Sequence, residues 1–293
     1  MDVTLVTPTY SSDRKCFAFL RESIERCGID LPHVAIVDHE DLSLFDEIAH
    51  RSRLTVLSTR DVLPRSLEAR RYARQRKVDR LVGRRASRRL RGWYAQQLVK
   101  LAAPAYVDTE ACVMLDSDVF FVCPTSAADF VGASGKLHLV ERDRLAIAQA
   151  EHAMWQRDSA EFLGTTLDAP IADYSGSVVP MHRDVLLALQ GHVESRYSTH
   201  WMEAFEHHRV MEYTTYGVFT RWIDGLEHAE PTTRPHAVTC WNTADLDGFG
   251  AELRAAAERG DAKAGVVHSH EHVPVDAYRP VAEQLWLSFR AAR

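Results

Sequence analysis

The most informative run of the sequence is Ala111-Cys112-Val113-Met114-Leu115-Asp116-Ser117-Asp118-Val119-Phe120-Phe121-Val122. Its first five residues are all apolar, as expected of a strand that is buried on both faces of a sheet. The apolar run stops at Asp116 and resumes at Val119, so two carboxylates lie at the end of this strand. Because open α/β sheets bind ligands outside the carboxyl ends of their strands, Asp116 and Asp118 mark a candidate ligand site.

The segments before this run alternate between strand and helix patterns. Short apolar or β-branched runs at Val3–Thr7, Val34–Asp38 and Leu54–Leu57 predict strands, and Pro8 is expected to end the first of them. Apolar residues at helical spacing predict a helix over Arg14–Cys27. Such alternation is typical of an α/β fold with a mixed, mainly parallel, Rossmann-like sheet flanked by helices.

The rest of the chain continues the same pattern without a repeat or a linker, which favours a single domain over residues 1–293. The predicted elements are helices over 92–101 and Leu145–Leu163, a turn and strand over Ser175–Pro180, helices over Asp184–Leu189, Thr199–His208 and Tyr213–Ile223, a strand over Val266–His270 and a helix over Val281–Arg290.

Composition limits the class of protein. The 293 residues are 46% hydrophobic, which is ample for a buried core. No run approaches the ~18 apolar residues of a membrane span, and the amino terminus lacks a signal-peptide pattern. The five cysteines are scattered and odd in number, which favours reduced thiols. We therefore expect a cytoplasmic protein.

Charge is distributed unevenly along the chain. The net charge is −6, but residues 60–91 carry 13 basic and 3 acidic side chains, a net of +10, so the remainder carries −16. The basic segment either faces an anionic partner or forms a solvated, arginine-rich helix pair. A phosphate-bearing substrate or a peripheral contact with the inner membrane face fits an anionic partner. Nucleic acid is not expected, since Tyr72 is the one aromatic residue among these arginines.

Asp116 and Asp118 have the chemistry of a divalent-cation site. Carboxylate oxygens suit Mg²⁺ or Mn²⁺, which keep several waters and bridge to substrate phosphates. The Asp-x-Asp pattern also occurs by chance in surface turns, and such a turn is the alternative. The buried runs on both sides favour the cation site, because unpaired carboxylates there are costly to desolvate.

Asp116-Ser117-Asp118, preceded by Val113-Met114-Leu115, resembles the metal-binding motif of glycosyltransferases with the GT-A fold. The helix before it, with Trp93, Tyr94, Gln97 and Lys100, is similar to bacterial polysaccharide-type (DUF6492-like) nucleotide-sugar transferases and, more distantly, to glycogenin-like enzymes. The resemblance implies that residues 1–122 form a nucleotide-binding half and residues 123–293 an acceptor-binding half. It implies Mn²⁺ or Mg²⁺ as cofactor.

The resemblance also assigns residues to the nucleotide-sugar donor. The loop after the first strand would border the nucleotide, Asp38 would face the base or ribose, and the small residues Ser175 and Gly176 would line the sugar pocket. An ordinary turn at Ser175-Gly176 is an equal alternative. The implied donor-binding residues are Thr7, Pro8, Thr9, Tyr10, Asp38, Gln97, Lys100, Asp116, Ser117, Ser175 and Gly176.

Glu212 resembles the acid at a helix start that faces the acceptor in such enzymes. A carboxylate there is suited to act as a general base on the acceptor hydroxyl. Alternatively, it stabilises the helix N-terminus through the helix dipole. Together with Asp118, Glu212 is our candidate catalytic residue.

Three late histidines alternate along the chain at His268, His270 and His272. Alternation in a strand would place His268 and His270 on one face. Many GT-A enzymes are similar in supplying a late histidine as a third metal ligand, for which His270 is preferred and His268 is second. The run also resembles a zinc site, but no cysteine or glutamate with ligand spacing supports a zinc hydrolase.

The sequence thus predicts a metal-dependent, hexosyltransferase-like glycosyltransferase. The expected donor is a nucleotide-sugar, first of all a UDP-sugar, and the acceptor is a glycan, a lipid-linked molecule or a small molecule. Three alternatives stay open. They are an Asp-x-Asp phosphatase, whose motif would be expected nearer the amino terminus, a sugar nucleotidyltransferase, whose Gly-rich loop is missing after the first strand, and a non-catalytic carbohydrate-binding module.

Overall fold

The computed structural model describes residues 1–67, 95–142, 150–167, 172–208, 210–241, 244, 246–268 and 273–291. Most of the predicted basic segment 60–91 lies outside these residues. So do the first part of the predicted helix 92–101 and the start of the predicted helix Leu145–Leu163. His270 and His272 are also outside them.

In the part of the chain that the structure describes, ten strands form three sheets. The central sheet has the order β3-β2-β1-β4-β7, and β5-β10-β9 and β6-β8 form smaller sheets. In the central sheet β7 alone runs antiparallel to its neighbour, so the predicted mixed, mainly parallel sheet is confirmed. The strands are β1 (Val3–Thr9), β2 (His33–Val37), β3 (Leu54–Ser58), β4 (Ala111–Leu115), β5 (Val119–Phe121), β6 (Leu137–Val140), β7 (Val178–His182), β8 (Ala229–Thr232), β9 (His236–Cys240) and β10 (Ala262–Val267).

Helices cover both faces of the central sheet. In the described residues they include α1 (Arg14–Arg26), α2 (Asp46–Ala49), α3 (Thr59–Val62), α4 (residues 95–101), α5 (Ala150–Leu163), α6 (Arg183–Tyr197), α7 (Trp201–His208), α8 (Glu212–Trp222), α9 (Leu246–Arg259) and α10 (Val275–Ala291), and residues 65–67 are also helical. Short 3-10 helices occur at Ser11–Asp13, His39–Phe45, Ala103–Ala105 and Ala127–Phe130. None of the described helices is long and apolar enough to cross a lipid bilayer.

The sheet separates two apolar layers that together make one domain. Along β4, Ala111, Val113 and Leu115 pack in one layer, with α1, α9 and α10. Cys112 and Met114 pack in the other, with α4, α6 and α8. Because successive strand residues point to opposite faces, a strand buried on both sides must be apolar throughout. This explains the uninterrupted apolar run that ends at Asp116.

The first strand does not stop at Pro8, as the sequence predicted, but continues to Thr9. Leu5 directs its N–H toward β2, where it donates to the Pro32 carbonyl. The nitrogen of Pro8, an odd number of residues later, therefore faces β4. Pairing with β4 ends at Val6, so the missing N–H of Pro8 removes no hydrogen bond from the sheet.

Two late elements differ from their predicted bounds. The strand β10 ends at Val267, so His268 follows the strand and does not lie within it. The closing helix begins at Val275 and includes Pro280, whereas the sequence predicted a start at Val281. Pro280 lies in the second turn and has no N–H to donate to the Asp276 carbonyl four residues earlier.

Candidate functional site

A cavity of about 490 Å³ lies at the carboxyl ends of β1 and β4, where the sequence predicted a ligand site. Its walls come from both halves of the chain and combine apolar surface with many polar side chains. The polar lining side chains include Asp13, Gln96, Gln97, Lys100, Asp116, Ser117, Asp118, Arg142, His152, Ser175, Ser177, Glu212, Thr239 and His268.

The Asp116-Ser117-Asp118 turn is held by backbone contacts on both sides. The Asp116 N–H donates to the Ser177 carbonyl over 3.0 Å. The Ser117 hydroxyl donates to the Pro8 carbonyl over 3.3 Å, on the edge of β1 that pairing has left free. The side chain of Asp116 is 34% exposed and that of Asp118 is 7% exposed. Both carboxylates therefore belong to the cavity wall.

Lys100 projects from α4 into the centre of the cavity. Its Nζ lies 3.2 Å from Asp116 Oδ1 and 3.1 Å from Glu212 Oε1. The ammonium also lies 4.3 Å from the centroid of the Tyr213 ring, within cation–π range. Burial alone would lower the pKa of Lys100, but the charges of Asp116 and Glu212 outweigh it and hold that pKa well above its usual value. Lys100 is therefore a charged ammonium at neutral pH.

Glu212 begins α8, as the sequence predicted. Its carboxylate also contacts two side chains of α4. Only 5% of its side chain is exposed, and Oε1 accepts from Lys100. With the Gln97 amide oriented so that its nitrogen faces acceptors, that nitrogen donates to the Val210 carbonyl at 2.9 Å and to Glu212 Oε2 at 3.3 Å. Both oxygens of Glu212 thus contact residues of α4, which precedes the central strand.

Asp118 and His268 are brought together by the antiparallel pairing of β5 with β10. Val119 pairs with Val266, so the residues just beyond them become neighbours. His268 Nδ1 lies 3.9 Å from Asp118 Oδ2. The imidazole also stacks on Trp241, with ring centroids 4.3 Å apart, at the mouth of the cavity. The oxygen of Asp118 and the nitrogen of His268 form a ligand pair suited to a divalent cation.

The Ser175-Gly176 segment lines the cavity beside the Asp116 turn and is fixed by Asp173. Asp173 Oδ1 accepts from the backbone and hydroxyl of Ser175, at 2.9 and 2.6 Å, and lies 3.1 Å from His152 Nδ1. A Cβ on Gly176 would come within 3.0 Å of the Arg142 guanidinium. The absence of a side chain therefore lets the Arg142 guanidinium approach this backbone closely.

The predicted nucleotide residues divide into three groups. Pro8 and Tyr10 line the cavity. They also border a smaller adjoining cleft with Thr9 and Asp38. Thr7 does not line the described cavity, contrary to its predicted role, because its hydroxyl points into the apolar layer and lies 2.9 Å from His33 Nε2. Alternation along β1 makes this unavoidable, since neighbouring residues of a strand face opposite layers.

Several cavity residues were not singled out from the sequence. Trp241, 49% exposed, follows β9, and Arg142 follows β6 with one residue between. Trp155 and His152 lie on α5, with ring centroids 4.6 Å apart. A signal for Trp241 and Arg142 existed, because each follows an apolar strand. No such signal existed for His152 and Trp155, because the sequence of a helix with mixed polarity does not show which of its faces lines a cavity.

Comparison with known proteins agrees with this architecture. Residues 3–246 match the model of a family described as a family of unknown function, DUF6492. Comparison with curated protein sequences finds no match. A solved structure of an active-site variant of LgtC has 12% sequence identity and a TM-score of 0.51, and the match covers 96% of this chain and 95% of that one. At this identity the likeness shows the fold alone, and the predicted GT-A fold is confirmed.

Two further solved structures are more distant. The galactosyltransferase LgtC in complex with donor and acceptor sugar analogs has 10% identity and a TM-score of 0.47, covering 96% of this chain and 95% of that one. The WbbM bifunctional glycosyltransferase has 9% identity and a TM-score of 0.48, covering 90% of this chain and 45% of that one.

Proposed function

The chain belongs to the DUF6492 family, and we propose that it is a metal-dependent glycosyltransferase acting on a nucleoside-diphosphate sugar. One observation carries the proposal: the cavity at the carboxyl edge of a GT-A sheet holds Lys100 between Asp116 and Glu212, beside Asp118. A positive charge beside strand-end carboxylates suits a diphosphate leaving group, whose negative charge grows in the transition state. The shared fold with LgtC, described as a galactosyltransferase, supports this reaction class.

Asp118 and His268 are the residues that we expect to hold the cation. Asp118 Oδ2 and His268 Nδ1 face each other across 3.9 Å, and both line the cavity. The carboxylate oxygen suits Mn²⁺ or Mg²⁺, whose remaining ligands would be mainly water and phosphate oxygens, with the single imidazole as an additional ligand. When bound, the cation would neutralise charge on the diphosphate. Asp116 is a weaker ligand in our proposal, because Lys100 already contacts its carboxylate. His270 stays a candidate ligand from the sequence.

Lys100 supplies the fixed positive charge of the site. Its side chain is 6% exposed, and the ammonium is held by two carboxylates and an aromatic ring, so it does not need to reorganise during the reaction. A preorganised charge in a poorly solvated site stabilises developing negative charge far better than the same charge in water. We therefore add Lys100 to the groups that stabilise the departing diphosphate.

Glu212 keeps its place as a candidate base, with a second role beside it. A base must reach the acceptor hydroxyl, and Glu212 lines the same cavity as Ser175 and Gly176. Its contact with Lys100 also makes it a positioning residue for that ammonium. The two roles separate kinetically. Loss of a base lowers kcat whether or not Lys100 is present, whereas loss of a positioning residue has no further effect once Lys100 is replaced.

The two halves of the chain supply different walls of the cavity, which supports separate binding regions for the donor and the acceptor. Residues 1–122 supply Pro8, Tyr10 and the small cleft with Asp38, where we expect the nucleoside. Residues 123–293 supply Arg142, Trp155 and Trp241, where we expect the acceptor. The donor that we expect first is a UDP-sugar. The acceptor hydroxyl belongs to a glycan, a lipid-linked molecule or a small molecule.

The direct test is a thermal-shift panel of nucleotide-sugars and nucleoside diphosphates, with and without Mn²⁺. A ligand that binds the native state raises the melting temperature, so a Mn²⁺-dependent shift by one nucleoside diphosphate identifies the donor class. Asp118→Ala should abolish the Mn²⁺-dependent part of this shift. If the variant binds nucleotide as the parent does, the metal-bridged donor site is wrong.

Turnover assays separate this proposal from its alternatives. A glycosyltransferase releases a nucleoside diphosphate from its donor in the presence of an acceptor. Phosphate release from a monoester would instead indicate an Asp-x-Asp phosphatase, and pyrophosphate release from a nucleoside triphosphate and a sugar phosphate would indicate a nucleotidyltransferase. Nucleotide-sugar binding without turnover, unchanged by Glu212→Gln, would indicate a non-catalytic carbohydrate-binding module.

The basic segment 60–91 suggests that the protein meets its acceptor at a membrane surface. We propose that it makes a peripheral contact with anionic lipid on the cytoplasmic face of the inner membrane, as its net charge of +10 favours. Liposome co-sedimentation should then increase with the anionic lipid fraction and decrease with salt. Binding that is insensitive to both would leave the solvated helix pair as the better interpretation.

A further inference from the structure

A group of three potential metal ligands lies at the edge of the central sheet opposite the cavity. His182 ends β7, Asp184 lies in the first turn of α6, and His228 immediately precedes β8. His182 pairs with Ala111, the first residue of β4, whereas Asp116 follows the last. At roughly 3.3 Å per residue, the group lies about 17 Å from the cavity along the strand.

One ligand atom from each of these residues lies within 4.8 Å of the other two. The two imidazole rings stack with centroids 4.3 Å apart and an interplanar angle of 12°. We propose that His182, Asp184 and His228 bind a zinc-class transition-metal cation. This inference is independent of the proposed glycosyltransferase activity, because none of the three residues lines the cavity.

The backbones that carry the two histidines are anchored before any ligand binds. The His182 N–H donates to the Tyr216 hydroxyl over 2.9 Å, and the His228 carbonyl accepts from the Leu137 N–H over 3.1 Å. The ligand atoms already lie within 4.8 Å of one another, so the two rings have only to rotate out of their stack until an in-plane lone pair of each points at the ion. A site whose frame is fixed loses little conformational freedom when the cation binds.

The charges around the site also suit a cation. Three carboxylates, those of Asp184, Glu110 and Asp224, lie close enough to act electrostatically on the His182 ring. In addition, Asp224 Oδ2 is buried without a hydrogen-bond partner in the described part of the chain. A dication would compensate this charge.

Besides opening the ring stack, binding costs one hydrogen bond. His182 Nδ1 accepts the Asp184 N–H at 3.2 Å and thereby caps α6. A neutral imidazole carries one proton, which must sit on whichever nitrogen does not hold the cation. Coordination through either nitrogen therefore ends this capping bond. The bond is long, so only a weak contact is lost.

The ligand set selects the kind of cation. Two imidazoles and one carboxylate suit Zn²⁺, Co²⁺, Ni²⁺ or Cu²⁺, whereas Mg²⁺ and Mn²⁺ prefer oxygen ligands. A cation here would tie the junction of β7 and α6 to the connection between α8 and β8. Because α8 begins with Glu212, the ion would fix the far end of the helix that carries this cavity residue.

The test is zinc titration of the chelator-treated full chain, by calorimetry and thermal shift, in an Asp118→Asn, His270→Asn background that weakens both the cavity site and the late histidine run. We expect one tight Zn²⁺ per chain and a raised melting temperature that Mn²⁺ does not reproduce. Removing a ligand by His228→Ala should weaken binding by at least about 100-fold. The exposed His50→Ala is the matched control and should change nothing.

Asp184→Asn is a second ligand variant that should fold as the parent does. Asp184 is less buried than His182, and asparagine keeps the shape of the aspartate side chain. It should weaken Zn²⁺ binding while the melting temperature without metal stays at the parent value. Co²⁺ provides a second readout, because bound Co²⁺ with a low coordination number absorbs visible light. This absorption should disappear in His228→Ala. Identical zinc isotherms for the parent and both ligand variants would overturn the proposal.

Discussion

At the scale of single residues, Lys100 changes how the cavity is understood. The sequence indicated a metal-binding aspartate pair and a separate glutamate, with Lys100 as one of several residues that contact the nucleotide-sugar donor. In the structure one ammonium contacts Asp116 and Glu212, which are 96 residues apart in the chain. The general-base hypothesis for Glu212 therefore has to be tested together with Lys100.

Lys100→Met should be strongly destabilising. It leaves Glu212, with a side chain 5% exposed, without its cation, and breaking such a buried pair costs about 3–5 kcal/mol of unfolding free energy. Adding Glu212→Gln should restore part of this loss, because the uncompensated charge is then gone. Urea unfolding of both single variants and the double variant measures the coupling.

Lys263→Met is the control for this cycle. Lys263 pairs with Asp129 over 3.4 Å where both side chains are about a quarter exposed. Partly hydrated pairs of this kind contribute about 1 kcal/mol or less. Equal losses for Lys100→Met and Lys263→Met would mean that the cavity ion pair has no special energetic role.

At the scale of elements, contact between α8 and the Asp173–Ser177 segment joins two walls of the cavity. Gly217 lies within α8, and a Cβ there would meet the ring of Tyr174 at 2.2 Å. The glycine thus lets the Tyr174 ring lie directly on the helix. The helix that begins with Glu212 and the loop that contains Ser175 are positioned by the same packing contact.

Gly217→Ala should therefore destabilise the protein, although alanine is the better helix former. Overpacking of this kind costs about 1–3 kcal/mol, more than the gain in helix propensity. Displacement of Tyr174 should also move Ser175 and Gly176 and raise KM for the donor. Urea unfolding and steady-state kinetics measure the two effects.

Gly191→Ala in α6 is the matched variant. Its new Cβ has nothing within 4 Å, so it should stabilise the protein by roughly 0.5–1 kcal/mol without a kinetic effect. If both glycine variants were stabilising, the packing of Tyr174 against α8 would not have the importance that we give it.

At the scale of the whole molecule, buried neutral histidines should make the fold sensitive to acid. Burial, followed by the charges of His138 and Arg234, lowers the pKa of His236 to about 3. In the unfolded chain a histidine has a pKa of about 6.5. Below that pH the unfolded state therefore binds a proton that the native state does not bind. This contribution to stability is complete above pH 6.5 and declines below it, by about 1.4 kcal/mol per pH unit for one histidine.

The unfolding free energy of the His236→Asn variant should consequently fall less steeply than that of the parent between pH 6.5 and pH 4.5. Asparagine is chosen because His236 has a φ of 59°, a left-handed conformation that asparagine tolerates. Urea unfolding at several pH values measures the slopes. His50→Asn should keep the parent slope, and parallel curves for His236→Asn and the parent would contradict the assignment.

The sequence by itself determined the α/β class, the central strand and the edge of the sheet where Asp116 and Asp118 lie. Apolar periodicity follows from local geometry, and the carboxyl ends of parallel strands share one edge, so both could be inferred without coordinates. The inward direction of Thr7, the ion pairs of Lys100 and the stacking of His182 on His228 were decided only by the tertiary structure. Lys100 and Glu212 are 112 residues apart, and no local pattern encodes their contact. It arises because α4 and α8 pack in the same layer against the sheet, and packing depends on the shape of the whole core.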